Sequence, residues 1–188
     1  MTRSDLLLAT AFVSVLVLAQ VGLEGLGLPL RYERGGLAAG ELWRAVSGHL
    51  VHLGWVHLAL NAAAFVLLAL LAASARLAVV LCLLFAPLIS AALFVFAPHV
   101  EWYVGLSAAL HGLFAWIALD LVREGERLGW LGLIGLCVKL GFEQWNGPDT
   151  WTGGLIGGAV VIESHLYGAA AGALCWPLAR AVRGLFRE

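Results

Sequence analysis

Residues 56–97 read VHLALNAAAFVLLALLAA, then SAR, then LAVVLCLLFAPLISAALFVFA. Two apolar runs, 56–73 and 77–97, are parted by three residues that carry one charge, Arg76. A helix rises ~1.5 Å per residue, so about 20 apolar residues cross the hydrocarbon core of a bilayer. This stretch therefore reads as two membrane spans joined by a tight turn. Working outward, runs of the same kind cover 6–23, 106–122, 128–142 and 159–178. The expected fold is an all-α polytopic membrane protein of six helices, in one domain over residues 1–188.

Composition agrees. Of 188 residues, 62% are hydrophobic and only 12% charged, about half the usual ~25%. A soluble fold of this size has too little interior to hide that much apolar surface. A net charge of −1 gives no reason to expect nucleic acid as a partner. The three cysteines, Cys82, Cys137 and Cys175, lie in apolar runs without a Cys-x-x-Cys pattern. They read as packing residues rather than a disulfide framework. The first run carries a cleavage-like Val17-Leu18-Ala19, but with the rest of the chain embedded it is expected to remain as the first span.

Loop charges set the orientation. With the N-terminus inside, the inner segments hold seven arginines (Arg3, Arg76, Arg123, Arg127, Arg180, Arg183, Arg187) and the outer ones three (Arg31, Arg34, Arg44). That is the positive-inside pattern and places both termini in the cytoplasm. Trp43, Trp55, Trp102, Trp145 and Trp151 then fall at the outer interface, where tryptophan is enriched. The polar-flecked segment 24–55 is too long for an idle connection and is expected to have structure of its own.

Polar groups inside spans are costly and point to function. Asn61 stands 15 residues before Arg76, Ser107 16 before Arg123, and His165 15 before Arg180. Each therefore lies ~22–24 Å above an inner-surface arginine. Three helices bring Asn, Ser and His to one level below the outer surface. A lone intramembrane Ser is most often a helix–helix hydrogen bond, and a lone His a packing residue. Together they read differently. Serine needs a base to become a nucleophile, histidine is the usual one, and the resulting oxyanion needs fixed donors. His57 and Asn61, spaced i, i+4, share a helix face, and the Ser107 N–H at a helix start has no partner within the helix. Gly168 and Gly172 lie on the His165 face, and Ala108-x-x-x-Gly112 flanks Ser107. Small residues in this register let membrane helices approach closely.

These residues resemble the rhomboid intramembrane serine proteases. Trp43-Arg44, His52, His57 and Asn61 match that family's spacing, Gly105-Leu106-Ser107 its nucleophile motif, and His165-x-x-Gly168-x-x-x-Gly172 its histidine motif. The resemblance implies a six-helix bundle with Ser107 as nucleophile and His165 as base. It makes His57, Asn61 and the Ser107 N–H the oxyanion hole and His52 a supporting residue. It implies no cofactor, a transmembrane protein substrate cut near its outer end, and a site open to the outer side. Two departures stand out. Ala108 replaces the usual glycine and adds a methyl beside the nucleophile that could narrow the site. His111 stands where many rhomboids carry a tyrosine packed on the catalytic histidine.

Ser107-Ala108-Ala109-Leu110-His111-Gly112 and Glu163-Ser164-His165-Leu166-Tyr167-Gly168 resemble the rhombosortase branch. That branch implies a bacterial inner membrane and a link to the secretion pathway of its substrates. Those substrates end in a Gly-Gly tag, a single span and a basic end. His111 is expected to pack on His165. Glu163, two residues from His165 on one helix, is expected to face the outer loop or a polar substrate end. Lys139 is expected to snorkel or to pair with Glu143. The short fifth span and its Gly-rich loop fit a gate over the site. Two other readings compete: a catalytically inactive binding protein of the same fold, and a metal site, since all six histidines fall on the outer half. With no thiolate or carboxylate expected to converge on them, the metal reading ranks last.

Overall fold

A computed structural model of the chain describes residues 2–183; Arg187, one of the arginines expected on the inner side, lies outside the described residues. Nine helices occur among them: α1 (Arg3–Leu26), α2 (Arg34–Ala38), α3 (Arg44–Ser47), α4 (Trp55–Leu71), α5 (Ala75–Phe96), α6 (Ser107–Arg123), α7 (Arg127–Asn146), α8 (Thr150–Ile156) and α9 (Ile162–Arg183). Two short strands, β1 (Tyr32–Glu33) and β2 (Trp102–Tyr103), pair antiparallel, Tyr32 against Tyr103 and Glu33 against Trp102. The six longer helices follow the six apolar runs in order. Of these, α1 and α5 are long and apolar enough to cross a membrane by length and composition, and α4 is apolar but shorter.

The burial pattern is that of a chain solvated by lipid. Outward faces carry exposed Leu7, Leu18, Leu67, Val95, Val138 and Leu174, whereas Gln20, His52, Asn61, Ser90 and Asp120 are buried. Large apolar residues outside and polar ones inside reverse the order of a water-soluble core.

Helix α6 runs through the centre. Ala108, Leu113 and Trp116 are fully buried, and Gly112, Ala115 and Asp120 nearly so. Its closest neighbour is α9, and small residues set that closeness. A Cβ on Gly168 would run into the Ala108 carbonyl oxygen, and one on Gly172 into that of Gly112. A Cβ on Gly112 would stand 2.7 Å from the Gly168 carbonyl oxygen and 2.7 Å from the Phe85 ring. Farther along, the Trp176 Nε1–H donates to Asp120 Oδ1 at 3.2 Å. Of the six longer helices, α7 is the most peripheral, burying only Gly129, Leu136 and Leu140.

The segment before α4 is structured, as its length requires. Arg34 lays its guanidinium across the end of α5, donating to the carbonyls of Leu93 (2.9 Å), Phe94 (2.8 Å), Ala97 (2.8 Å) and Val100 (3.3 Å). Leu93 and Phe94 lie in the last turn of α5 and Ala97 and Val100 just beyond it, so the cation caps this helix end and meets the negative end of its dipole. Buried Arg44 donates to the Arg31 carbonyl at 3.1 Å and pairs with Glu33 and Glu41. Gln20 of α1 clamps the His52 backbone, accepting its N–H at 2.8 Å and donating to its carbonyl at 3.2 Å. Arg34 and Arg44 are thus structural residues of the loop.

The helix bounds depart from the apolar runs in several places: α1 reaches Leu26 rather than 23, and α9 starts at Ile162 rather than 159. The fifth run, taken to end at residue 142, continues as helix to Asn146, and the supposed loop contains α8. The apolar run stops at Glu143, but the helix does not, because that carboxylate has partners inside the protein.

Candidate active site

A cleft of about 850 Å³ is lined by residues of β2, α4, α6, α8 and α9. His57, Asn61, Ser107, His111, Glu163 and His165 all line it. Four of these, His57, Asn61, Ser107 and His165, are the catalytic and oxyanion-hole candidates.

Ser107 opens α6. The chain reaches it through Gly105, whose φ of +122° is a conformation that side-chain-bearing residues rarely adopt. A Cβ there would also press within 2.7 Å of His57 Cε1. The backbone on either side of this turn is held. Gly105 N–H donates to the Gly48 carbonyl at 3.0 Å, and the Tyr103 hydroxyl donates to the Gly105 carbonyl at 2.5 Å. Tyr103 is buried in β2, and burial pushes its hydroxyl pKa up to about 12, so it stays a donor.

Across the α6–α9 contact, His165 Nε2 lies 3.0 Å from Ser107 Oγ. The ring's other nitrogen, Nδ1, lies 3.0 and 3.1 Å from the two carboxylate oxygens of Glu143, in the last turn of α7. Lys139, one turn earlier, pairs with Glu143 at 2.7 Å, and its Nζ is 3.5 Å from His165 Nδ1. His111 stacks on His165, ring centres 4.1 Å apart and planes 16° apart, and its Nδ1 bonds the Ser107 carbonyl at 2.8 Å.

On the opposite wall, His57 Nδ1 accepts the Leu53 N–H at 3.3 Å. In a neutral imidazole that leaves the proton on Nε2, so His57 can donate to an oxygen in the cleft. Asn61 Nδ2 gives one hydrogen to the His57 carbonyl at 2.9 Å and keeps a second. The edge of the His57 ring meets His52, ring centres 5.0 Å apart at 87°. Both ring nitrogens of His52 are buried without a hydrogen-bond partner. Burial, with His57 adding to it, pushes the His52 pKa down to about 3. His52 therefore supports His57 as a neutral, uncharged wall.

The remaining candidates fall outside the reacting cluster. Gly168 and Gly172 set the helix contact, and Arg44 braces the loop. Trp43 is half exposed, its Nε1–H reaching the Pro29 carbonyl at 3.4 Å. Glu163 pairs with His99 at 2.8 Å on the cleft rim. Ala108 is a correction: its methyl is fully buried in the core and does not line the cleft, so it does not narrow the site. The absence of a converging carboxylate is a second correction. Glu143 joins His111 and His165, with donor atoms all within 4.8 Å of one another. The sequence carried one signal for it, an acidic residue one turn after Lys139 in an otherwise apolar stretch.

Among known families, the Rhomboid domain matches residues 39–181. No curated protein matches the chain.

Proposed function

The chain belongs to the rhomboid family, and from that premise we propose that it is an intramembrane serine endopeptidase with Ser107 as nucleophile and His165 as general base. The observation that carries this reading is the 3.0 Å approach of Ser107 Oγ to His165 Nε2 across two helices. A serine hydroxyl within hydrogen-bond reach of an imidazole in a cleft is the arrangement that activates it.

The steps follow from the geometry. As Ser107 Oγ attacks a peptide carbonyl, its proton passes to His165 Nε2. The carbonyl oxygen becomes an oxyanion, met by the Ser107 N–H, His57 Nε2–H and Asn61 Nδ2–H; donors fixed in advance stabilise it without reorganising. Collapse breaks the C–N bond, and His165 returns the proton to the departing amine. Water, deprotonated by the same nitrogen, then attacks the acyl carbon; the bond to Ser107 Oγ breaks, and His165 returns the proton to that oxygen. Four of the six histidines, His57, His99, His111 and His165, line the cleft, and exposed Trp102 stands on its wall. That supports a site reached from the outer interface, with the six longer helices as spans, both termini cytoplasmic and transmembrane proteins as substrates.

The motifs around Ser107 and His165 support the rhombosortase branch. In that reading the protein works in a bacterial inner membrane on secreted proteins ending in Gly-Gly, a span and a basic end. Labelling with a fluorophosphonate serine probe tests the activity. Modification at Ser107 that is lost in Ser107→Ala and indifferent to chelator is expected. A folded chain that does not label would instead be a binding protein of the same fold.

A further inference from the structure

We propose that Glu143 is the positioning residue of this site: from α7 it accepts the Nδ1–H of His165, so that Nε2 faces Ser107 as an acceptor. The inference rests on the protease reading and deepens it. The carboxylate that orients the base comes from a third helix, 22 positions before His165 in the chain.

The neighbours of Nδ1 decide its protonation. Two groups approach it: both oxygens of Glu143, at 3.0 and 3.1 Å, and the Lys139 ammonium, at 3.5 Å. An ammonium can only donate, and an ionised carboxylate can only accept. If Lys139 were the partner, Nδ1 would hold a lone pair and Nε2 the proton, and His165 could not take a proton from Ser107. The shorter, two-oxygen contact is Glu143's. Lys139 lies 2.7 Å from the same carboxylate, which favours its ionised, acceptor-only form. Nδ1 is then the donor and Nε2 the base. When Nε2 takes the Ser107 proton, the imidazolium is held between His111, stacked on its face, and the Glu143 carboxylate. The Nδ1 proton stays on His165 throughout.

The same three side chains do not read as a metal site. The His111 and His165 rings lie 16° from parallel at 4.1 Å. Ring lone pairs lie in the ring plane, so two stacked imidazoles cannot both aim at one ion. The place a cation would take beside Glu143 is filled by Lys139.

The test uses the full chain in detergent and the fluorophosphonate probe, resolving maximal labelling rate from probe affinity. Glu143→Gln keeps the shape and loses the charge. Its maximal rate should fall on the order of 10²-fold or more, within the range a positioned base contributes, with probe affinity unchanged. Glu143→Asp should recover part of that rate. Glu143→Ala should be accelerated by added acetate, which a merely structural role would not produce. Thermal unfolding of each variant separates loss of rate from loss of fold. Wild-type rates in folded Glu143→Gln would overturn the proposal and leave Ser107 and His165 standing. Labelling of Ser107→Ala at the wild-type rate would instead sink the nucleophile reading beneath it. A rate lost to chelator and restored by zinc would make Glu143 a metal ligand and also overturn it.

Discussion

The carbonyl oxygen of Ala108 occupies the place where a side chain on Gly168 would begin. Residue 108 follows the candidate nucleophile, and residue 168 is one turn beyond the candidate base. Backbone therefore rests on backbone next to the Ser107–His165 bond. Gly168→Ala should force α6 and α9 apart, destabilise the fold by ~1–3 kcal/mol as overpacking does, and lengthen that bond. Thermal unfolding in detergent should show the first effect and probe labelling the second. Wild-type labelling in Gly168→Ala would mean the two helices do not hold the pair.

Ser107→Ala should abolish cleavage and labelling while leaving the unfolding temperature nearly unchanged, because the hydroxyl adds little packing. His165→Ala should cost almost as much. The double variant should be no worse than either single one, since groups acting as a unit are not additive. Independent, multiplying losses would separate the two residues.

His111 offers His165 a stacked ring and holds the Ser107 carbonyl through Nδ1. His111→Tyr keeps a ring on that face and should retain substantial activity. His111→Ala leaves a gap, lets the His165 ring turn, and should be worse; misplacing a base by ~1 Å can cost ~100-fold. If folded His111→Tyr were as inactive as Ser107→Ala, stacking would be the wrong account, and His111 would have a proton-transfer role.

Gly105→Ala asks for a side chain at a φ of +122° and sets its Cβ against the His57 ring. Labelling should fall steeply, even where the variant folds, because His57 is one of the proposed oxyanion donors. Unchanged labelling would show that His57 does not hold the oxygen.

Stability should fall in acid. Burial holds the pKa of His49 at about 3 and that of His52 at about 3, against ~6.5 for an unfolded histidine. Between those values the unfolded chain binds protons that the folded chain refuses, so stability rises with pH. The contribution is complete above pH ~6.5 and is lost as pH drops toward 3. The unfolding temperature should be lower at pH 5 than at pH 7.5, and His52→Phe should show a smaller difference. An equal slope in His52→Phe would exclude that ring as a source.

The apolar runs and the Ser, His and Gly registers were legible because they are local. A helix repeats every 3.6 residues, so residues 165, 168 and 172 announce one face. Counting from the arginines set Asn61, Ser107 and His165 at one level, and the three line one cleft. Glu143 was not legible as a partner of His165, because nothing in the spacing of α7 tells how it leans on α9. An apolar run broken by a charge reads as a helix end, and only the tertiary contact shows the helix continuing. Arg34, Arg44 and Gln20 illustrate the same limit. Their partners are largely backbone atoms, which leave no mark in a sequence. Ala108 misled because its methyl reads as a neighbour of Ser107, whereas successive residues on a helix point about 100° apart.

Side chains swing among rotamers, and lipids and substrates change from moment to moment, yet peptide groups in contact have almost no freedom to yield. The glycine seam between α6 and α9 therefore works like a kinematic mount in optics. Hard points fix the spacing of two parts, whatever presses on their outer surfaces. Ser107 and His165 are carried directly beside those points. Wear on such an instrument shows first at the mount: substitutions at Gly112, Gly168 and Gly172 will detune the chemistry from within the bundle, while large changes on its lipid-facing side leave the alignment intact.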